Sequence, residues 1–260
     1  MRELERDSDT DDPACPPYRG SLPRTVAIVG RGRLGSAVAA ALRKDSASTG
    51  AWKVSGPHAR GYAEADAPAV LLCVPDREIV GAAQAIPSGR LVGHCSGAGG
   101  LDLLEAHEAF SMHPLMTVLP GGADFKGAGA AVAGRTPRAL AFAASLARGL
   151  GMRPIVLAEK DRPAYHAAAS IASNFLVTLE GAAERLAASA GVDRRLLAPL
   201  VRATVENWIA LGARAALTGP VARGDDLTVA AQRQAVAERA AEILPLFDAL
   251  TDATRTLAAA

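Results

Sequence analysis

Short apolar runs recur along the first part of the chain, at 25–29, 52–55, 69–74, 90–94 and 109–112, and each ends in a turn signal. Alanine-rich stretches with helical spacing separate most of them. A short continuous apolar run suits a strand buried on both faces, and strands alternating with helices predict the βαβ units of a doubly wound parallel sheet. Segments 130–133 and 154–157 predict two further strands around a helix at 137–150. Beyond residue 158 the clusters of β-branched residues stop. Three helical segments are expected there, near 162–190, 193–217 and 226–259, with Gly191 and Leu217-Thr218-Gly219-Pro220 as stops and with Pro245 kinking or dividing the last one. The predicted organisation is a mixed-charge, proline-bearing disordered tail at 1–23, an α/β domain with a parallel sheet at 24–158, and an all-α domain at 159–260.

The first apolar run breaks at Gly30-Arg31-Gly32-Arg33-Leu34-Gly35, and a helical pattern without breakers follows it. This G-x-G-x-x-G stands where a dinucleotide fingerprint belongs, after a strand and before a helix. Gly30 permits the tight turn, Gly32 lets the backbone approach a pyrophosphate, and Gly35 lets the helix pack close to the sheet. The helix N-terminus then offers free N–H groups and a partial positive charge to the anion. A Rossmann-type domain with a nicotinamide dinucleotide is therefore expected. A site for NADH carries an Asp or Glu roughly 20 residues beyond the fingerprint, to accept from the ribose 2′-OH. That position reads Ser55-Gly56-Pro57-His58-Ala59-Arg60, without a carboxylate; Glu64 and Asp66 come later. Arg60 and His58, with Arg31 and Arg33, suit a 2′-phosphate instead, so NADPH is the expected cofactor. Val74-Pro75 closes the third strand at the cleft, where Asp76 is expected to cap a helix starting at Arg77. Ser96-Gly97-Ala98-Gly99-Gly100 follows the fourth strand at the edge where ligands sit, either as a nicotinamide-proximal loop or as a plain turn. His113-Pro114 follows the fifth strand on the same edge.

Lys and Arg number 28 and Asp and Glu 27, a formal net charge of +1, which excludes a dominant nucleic-acid footprint. Aromatic residues at 4% argue equally against a base-stacking surface. Cys15, Cys73 and Cys95 form no C-x-x-C and leave an odd thiol, the usage of a reducing compartment; the cytoplasm is expected. The polar start lacks an apolar leader, and no apolar run reaches the roughly 18 residues of a membrane span. His94, Cys95, His113 and His166 lack metal-site spacing, so no metal is expected.

On the first long helix of the all-α part, His166, Ser170, Asn174 and Thr178 recur every four residues beside apolar positions such as Ile171, Phe175 and Leu179. Successive i+4 positions share one helix face, drifting by about 40° per step. Long charged side chains dominate solvated faces, so a seam of His, Ser, Asn and Thr favours a cleft; a satisfied interhelical seam is the alternative.

The chain resembles the superfamily of 6-phosphogluconate dehydrogenases, 3-hydroxyacid dehydrogenases, ketopantoate reductases and pyrroline-5-carboxylate reductases, a Rossmann domain followed by a helical domain. More closely it resembles the oxidoreductase family with a Rossmann-like domain and a C-terminal domain of unknown function, number 2520. The residues that carry this are the fingerprint, Cys73-Val74-Pro75-Asp76, His94-Cys95-Ser96-Gly97-Ala98, Met112-His113-Pro114-Leu115, Tyr165-His166-Ala167-Ala168-Ala169 with Ser173-Asn174, and the segment from Leu217 to Asp225. The resemblance implies an NADPH-dependent reductase of a small 2-oxo acid, ketopantoate first, with a cyclic imine such as pyrroline-5-carboxylate as the alternative. The hydroxyacid and ketopantoate enzymes carry Lys-x-x-x-Asn on this helix; Asn174 matches the Asn, whereas Ser170 holds the Lys position. Reduction still requires a proton donor. His166 is the first candidate and His113 the second, with Tyr165 and Lys160 behind; Asn174 and Ser170 would orient the substrate. Asp225 is placed as a helix N-cap, and Thr218 and Arg223 are expected to bind the substrate, Arg223 through a carboxylate or phosphate, within one subunit or across a dimer interface. A homodimer through the helical domain is expected. The missing lysine keeps a non-catalytic NADPH-binding regulator as the competing class.

Overall fold

The structure, a computed structural model, describes residues 18–59, 61–63 and 67–260. Most of the expected tail, and Arg60, Glu64 and Asp66, lie outside the described residues. The described residues form two compact units, the first ending at Ser170 and the second spanning Ile171–Ala260.

The first unit is built on a seven-stranded sheet of β1 (Thr25–Val29), β2 (Lys53–His58), β3 (Ala69–Leu72), β4 (Leu91–His94), β5 (Glu108–Leu115), β6 (Gly129–Gly134) and β7 (Arg153–Val156). Their spatial order is β2-β1-β3-β4-β5-β6-β7, so the chain reverses direction across the sheet after β2. All seven lie within a few residues of the apolar runs in the sequence. Burial on both faces explains why the runs of the inner strands β1, β3, β4, β5 and β6 are continuous rather than alternating, while the edge strands β2 and β7 are only partly buried. One face packs Val26, Ile28, Leu71, Phe110, Met112 and Val132 against Val38 and Leu42 of α1 (Arg33–Thr49) and Phe142 and Leu146 of α3 (Pro137–Gly149). The other packs Val29, Val70, Leu72 and Val92 against Ile79 and Ala83 of α2 (Ile79–Gln84) and against Leu101 and Leu104.

The sheet is parallel, as expected, except at one pair. β5 and β6 pair antiparallel, Phe110 with Gly134 through Leu115 with Gly129. Residues 116–128 between them contain no helix, and a parallel return requires a crossover of a dozen or more residues, usually helical. That pairing also extends β5 to Leu115, so His113 sits inside the strand opposite Ala131 rather than after its end.

After β7, α4 (Arg162–Ser170) closes the first unit. The second unit opens with a π-helical stretch, Ile171–Phe175, followed by α5 (Leu176–Ser189), α6 (Arg194–Leu211), α7 (Ala213–Ala216), α8 (Asp226–Arg239) and α9 (Leu244–Ala259). The π stretch interrupts the uniform 3.6-residue period on which the four-residue polar seam was read. Its own core gathers Ala182, Val236, Ala240 and Ile243. Asp225 caps α8 as expected, its carboxylate accepting from the Thr228 N–H at 3.1 Å. The last segment is divided rather than kinked, into α8 and α9, and Pro245 stands in the first turn of α9, where its missing N–H has no intrahelical partner to lose; the break itself comes slightly earlier, at Ala240 with φ −156°. Among the described residues no helix is long and apolar enough to cross a membrane.

Candidate active site

The fingerprint glycines fit a dinucleotide, each for its own reason. Gly30 has φ +119°, and a Cβ there would stand 2.2 Å from the Cys73 carbonyl oxygen, so β1 and β3 approach too closely for any side chain. A Cβ on Gly35 would lie 2.0 Å from the Gly30 carbonyl oxygen, which fixes α1 against the turn. At Gly32 a Cβ would meet nothing within 4 Å. That open approach lies beside the start of α1, which no side chain caps and whose first turn holds no acid. A pyrophosphate fits such a helix start.

Two grooves continue from there along the carboxyl edge of the sheet. The first, about 380 Å³, lies between Gly30, Arg31 and Gly32 and the segment Cys73, Val74 and Pro75, with Ala59 and Glu78 completing its lining. The second, about 460 Å³, shares Gly32, Cys73, Val74 and Pro75 and adds Arg33, Leu34, Asp76, Cys95, His113 and Pro114. The fingerprint's two arginines are thus divided, Arg31 on the first groove and Arg33 on the second. His58 is engaged locally, its Nε2 at 2.6 Å from the Ser55 hydroxyl and its ring stacked 4.2 Å from that of Tyr62.

Three ionisable side chains meet beside the second groove. The Tyr165 hydroxyl on α4 lies 2.8 Å from Nδ1 of His113 on β5, with the rings nearly perpendicular. The His166 ring stands 6.3 Å from that of His113. Gly97 makes room for both histidines, since a Cβ on it would lie 2.8 Å from His166 Cδ2 and 2.9 Å from His113 Nε2. The loop 96–100 is therefore more than a plain turn. Burial, reinforced by the charges of His166 and Arg162 and opposed by Asp76, pushes the His113 pKa down to about 4. Burial raises the Tyr165 hydroxyl above its ordinary value, with Arg162 pulling the other way. At neutral pH the pair is an uncharged imidazole and an uncharged phenol.

Asp76 does not cap a helix. It is the first residue of a 3₁₀ turn, Asp76–Glu78, with no side-chain cap, and α2 begins only at Ile79. Its carboxylate instead accepts from the Ser96 hydroxyl at 2.7 Å, while Ser96 Oγ accepts from the Gly99 N–H. This network holds the loop that carries Gly97. His94 supports it from below, its Nδ1 accepting from the Ser96 N–H and its Nε2 bonding the Gly100 carbonyl; burial lowers its pKa.

Arg162 is a residue that sequence pattern gave no reason to single out. It is 3% exposed, pairs with Glu159 at 3.0 Å and donates to the Ser111 hydroxyl in the centre of β5. The other Glu159 oxygen accepts from the Leu101 N–H. The guanidinium thus joins the start of α4, and with it Tyr165 and His166, to both β5 and the end of the glycine loop. Arg162→Met should lower unfolding stability by about 2–4 kcal/mol, because it strips a buried hydroxyl of its donor and a carboxylate of its partner. A urea titration checks this; an unchanged midpoint would remove the tie.

His113 also links stability to pH. Its folded pKa of about 4 lies below the ordinary 6.5, so between those values the unfolded chain binds the proton first. The contribution is complete above pH 6.5 and is lost as pH falls towards 4, on the order of 3 kcal/mol in all. Unfolding titrations of the parent and His113→Asn between these limits should differ in slope, the parent losing more stability with acid.

Ser170 ends α4 in the first unit. Asn174 lies in the second, on the π-helical stretch, its carbonyl accepting from the Thr178 hydroxyl. Thr218 and Arg223 lie in the connection from α7 to α8, which is folded on itself by Arg223 N–H bonds to the Gly219 and Pro220 carbonyls. Among the described residues no three His, Cys, Asp or Glu side chains gather as a metal site.

Among curated proteins none matches the chain significantly. Solved structures do. A protein of Thermotoga maritima is similar at 24% identity and a TM-score of 0.76, over 90% of this chain and 100% of its own. The reductive aminase of Aspergillus terreus, solved with NADPH and ethyl-5-oxohexanoate, is similar at 17% identity and 0.62, over 89% and 93%. The pyrroline carboxylate reductase of Plasmodium falciparum, solved with NADP, is similar at 12% identity and 0.56, over 92% and 100%. Residues 129–254 match the family model of a domain of unknown function, DUF2520. That match begins inside the sheet, at β6, and takes in α3 and β7 as well as the helices that follow. The chain is a Rossmann-type α/β protein with a helical C-terminal part, and its residues 129–254 are similar to the DUF2520 family model.

Proposed function

We propose that the protein is an NADPH-dependent reductase of a small substrate with a polarised C=O or C=N bond. One observation carries this reading: two adjoining grooves share the walls Gly32, Cys73, Val74 and Pro75, one starting at the fingerprint and the other reaching the Tyr165–His113 pair. A dinucleotide laid from the first towards the second would bring its reactive end to the one cluster of proton-bearing side chains described above. Bound NADPH would supply the hydride. The phosphorylated form is favoured because Arg31 lines the first groove and the end of β2 offers no carboxylate to a ribose 2′-OH.

Hydride transfer leaves negative charge on the substrate oxygen or nitrogen, which a proton must neutralise. We assign that proton to Tyr165 rather than to the exposed His166. With the imidazole hydrogen on Nδ1, His113 donates to the phenol oxygen, so the phenol's own hydrogen is free for the substrate and the resulting phenolate keeps a donor. A neutral imidazole suits that task, since it stays in one charge state across the working pH range. Ser170, the last residue of α4, is assigned to orienting the substrate.

The substrate assigned first is a 2-oxo acid of the ketopantoate kind. Reduction of a cyclic imine is the second reading, favoured by the likeness to a pyrroline carboxylate reductase and a reductive aminase. Following NADPH oxidation against a panel of 2-oxo acids and cyclic imines decides between them. NADPH binding with no turnover of either class would overturn the reductase and leave a non-catalytic binder. A homodimer in the cytoplasm completes the proposal. Leu196, Leu200, Trp208, Ile209 and Leu211 on α6 are each more than half exposed, an apolar surface suited to a second copy. Light scattering should report twice the monomer mass.

A further inference from the structure

Two thiols that this mechanism does not use stand side by side at the carboxyl ends of β3 and β4. Leu72 pairs with His94 in the parallel ladder, and the Cys95 N–H donates to the Leu72 carbonyl, so the register sets Cys73 and Cys95 level one residue further on. Both side chains belong to the same apolar layer of the sheet, and their sulfur atoms are 3.7 Å apart. Neighbouring strands hold Cα atoms about 4.8 Å apart, within the roughly 4.4–6.8 Å that a disulfide spans. Bond formation would require each sulfur to move by less than about 1 Å. Both residues are 8% exposed, and what exposure they have faces the grooves: Cys73 lines both, Cys95 the second. A small solute in the groove therefore reaches them.

We propose that Cys73 and Cys95 form a redox-modification site in the wall of the cofactor groove, where a small peroxide converts the pair to an intramolecular disulfide. Cys73 reacts first, because it faces both grooves, while its hydrogen bond and burial raise the Cys95 thiol and keep it protonated. The Cys73 thiolate attacks one peroxide oxygen; the S–O bond forms, the O–O bond breaks, and the departing hydroxide takes up the thiol's proton as water. The Cys95 sulfur then attacks the sulfenyl sulfur. The S–S bond forms, the S–O bond breaks, and hydroxide leaves with the Cys95 proton as a second water. The two thiols lose two electrons, and the peroxide gains them. The Cys73 carbonyl packs directly against Gly30, so a shift of Cys73 is felt by the fingerprint turn. Oxidation and dinucleotide binding therefore oppose each other, a consequence that rests on the NADPH reading, whereas the disulfide itself does not.

The test uses the full chain with Cys15→Ser, reduced, exposed to excess hydrogen peroxide, then denatured and labelled with N-ethylmaleimide. Mass spectrometry should show loss of two hydrogens, no maleimide, and a peptide cross-linking Cys73 to Cys95, with dithiothreitol restoring both labelled thiols. Two maleimides after peroxide, or separate sulfinic acids without the cross-link, would overturn the site. In a Cys95→Ser variant dimedone should trap a sulfenic acid at Cys73; the parent result stands if that variant does not fold. NADPH at about a hundred times its Kd should slow cross-linking on the order of a hundredfold. If NADPH binds and the rate is unchanged, the opposition fails. If NADPH does not bind while the cross-link forms, the cofactor reading fails and the redox site stands.

Discussion

Gly30→Ala is expected to abolish NADPH binding and to lower the stability of the sheet unit by at least about 3 kcal/mol. Two costs coincide at this position. The backbone φ of +119° excludes L side chains, and the new methyl would stand 2.2 Å from the Cys73 carbonyl oxygen and 2.7 Å from its carbon. Backbone cannot rotate away as a side-chain tip can, so β1 and β3 must part at their carboxyl ends. Those ends form the shared wall of both grooves. Gly32→Ala separates binding from folding, because its Cβ meets nothing within 4 Å and its φ is an ordinary −73°. That variant should unfold within about 0.5 kcal/mol of the parent yet bind NADPH much more weakly, the methyl projecting into the space through which the pyrophosphate approaches. Urea midpoints and NADPH fluorescence titrations on the two variants give the comparison. Equal affinity for parent and Gly32→Ala would place the cofactor elsewhere.

These effects were legible in the sequence because the fingerprint is local: its glycines, the preceding strand and the following helix lie within one stretch of chain. The strands were legible for a similar reason, since burial on both faces leaves continuous apolar runs. Pairing direction was not. Apolar runs at 109–112 and 130–133 look alike whether they run parallel or antiparallel, and only the helix-free connection at 116–128 decides. Asp76 shows the same limit on a smaller scale. Its position before a helix suggests a cap, but a stronger partner, Ser96, arrives from twenty residues away. The proton-bearing cluster joins β5 to α4 across more than fifty residues, with Arg162 beneath it, and no spacing rule connects them. The nearness of Cys73 and Cys95 carried a usable signal, since each stands directly after an apolar strand of a parallel pair. Placing them level required the register.

Tyr165→Phe is the variant on which the chemistry turns. It keeps the ring that packs perpendicular to His113 and removes only the hydroxyl, so NADPH affinity should stay near that of the parent and stability should fall only by the hydrogen bond lost to His113, about 1–2 kcal/mol. Losing a general acid should lower kcat by about 10²–10⁴. The parent's pH profile should be flat through neutrality. Below about pH 4 a proton added to His113 goes to Nε2, which leaves the Nδ1–H bond to Tyr165 in place but turns the uncharged imidazole into a cation, and only above the ordinary phenol value of 10 would Tyr165 itself lose its proton, its pKa being raised by burial. His166→Asn is the control. His166 lies on the same helix beside Tyr165, but it is exposed and His113 hydrogen-bonds Tyr165 instead, so its loss should cost less than about tenfold, the scale of a neighbour that tunes rather than donates. If His166→Asn abolishes turnover while Tyr165→Phe leaves most of it, the donor is His166. The Tyr165–His113 bond would then serve to hold α4 on β5 alongside Arg162, and the double variant Tyr165→Phe with Arg162→Met would lose more stability than either change alone.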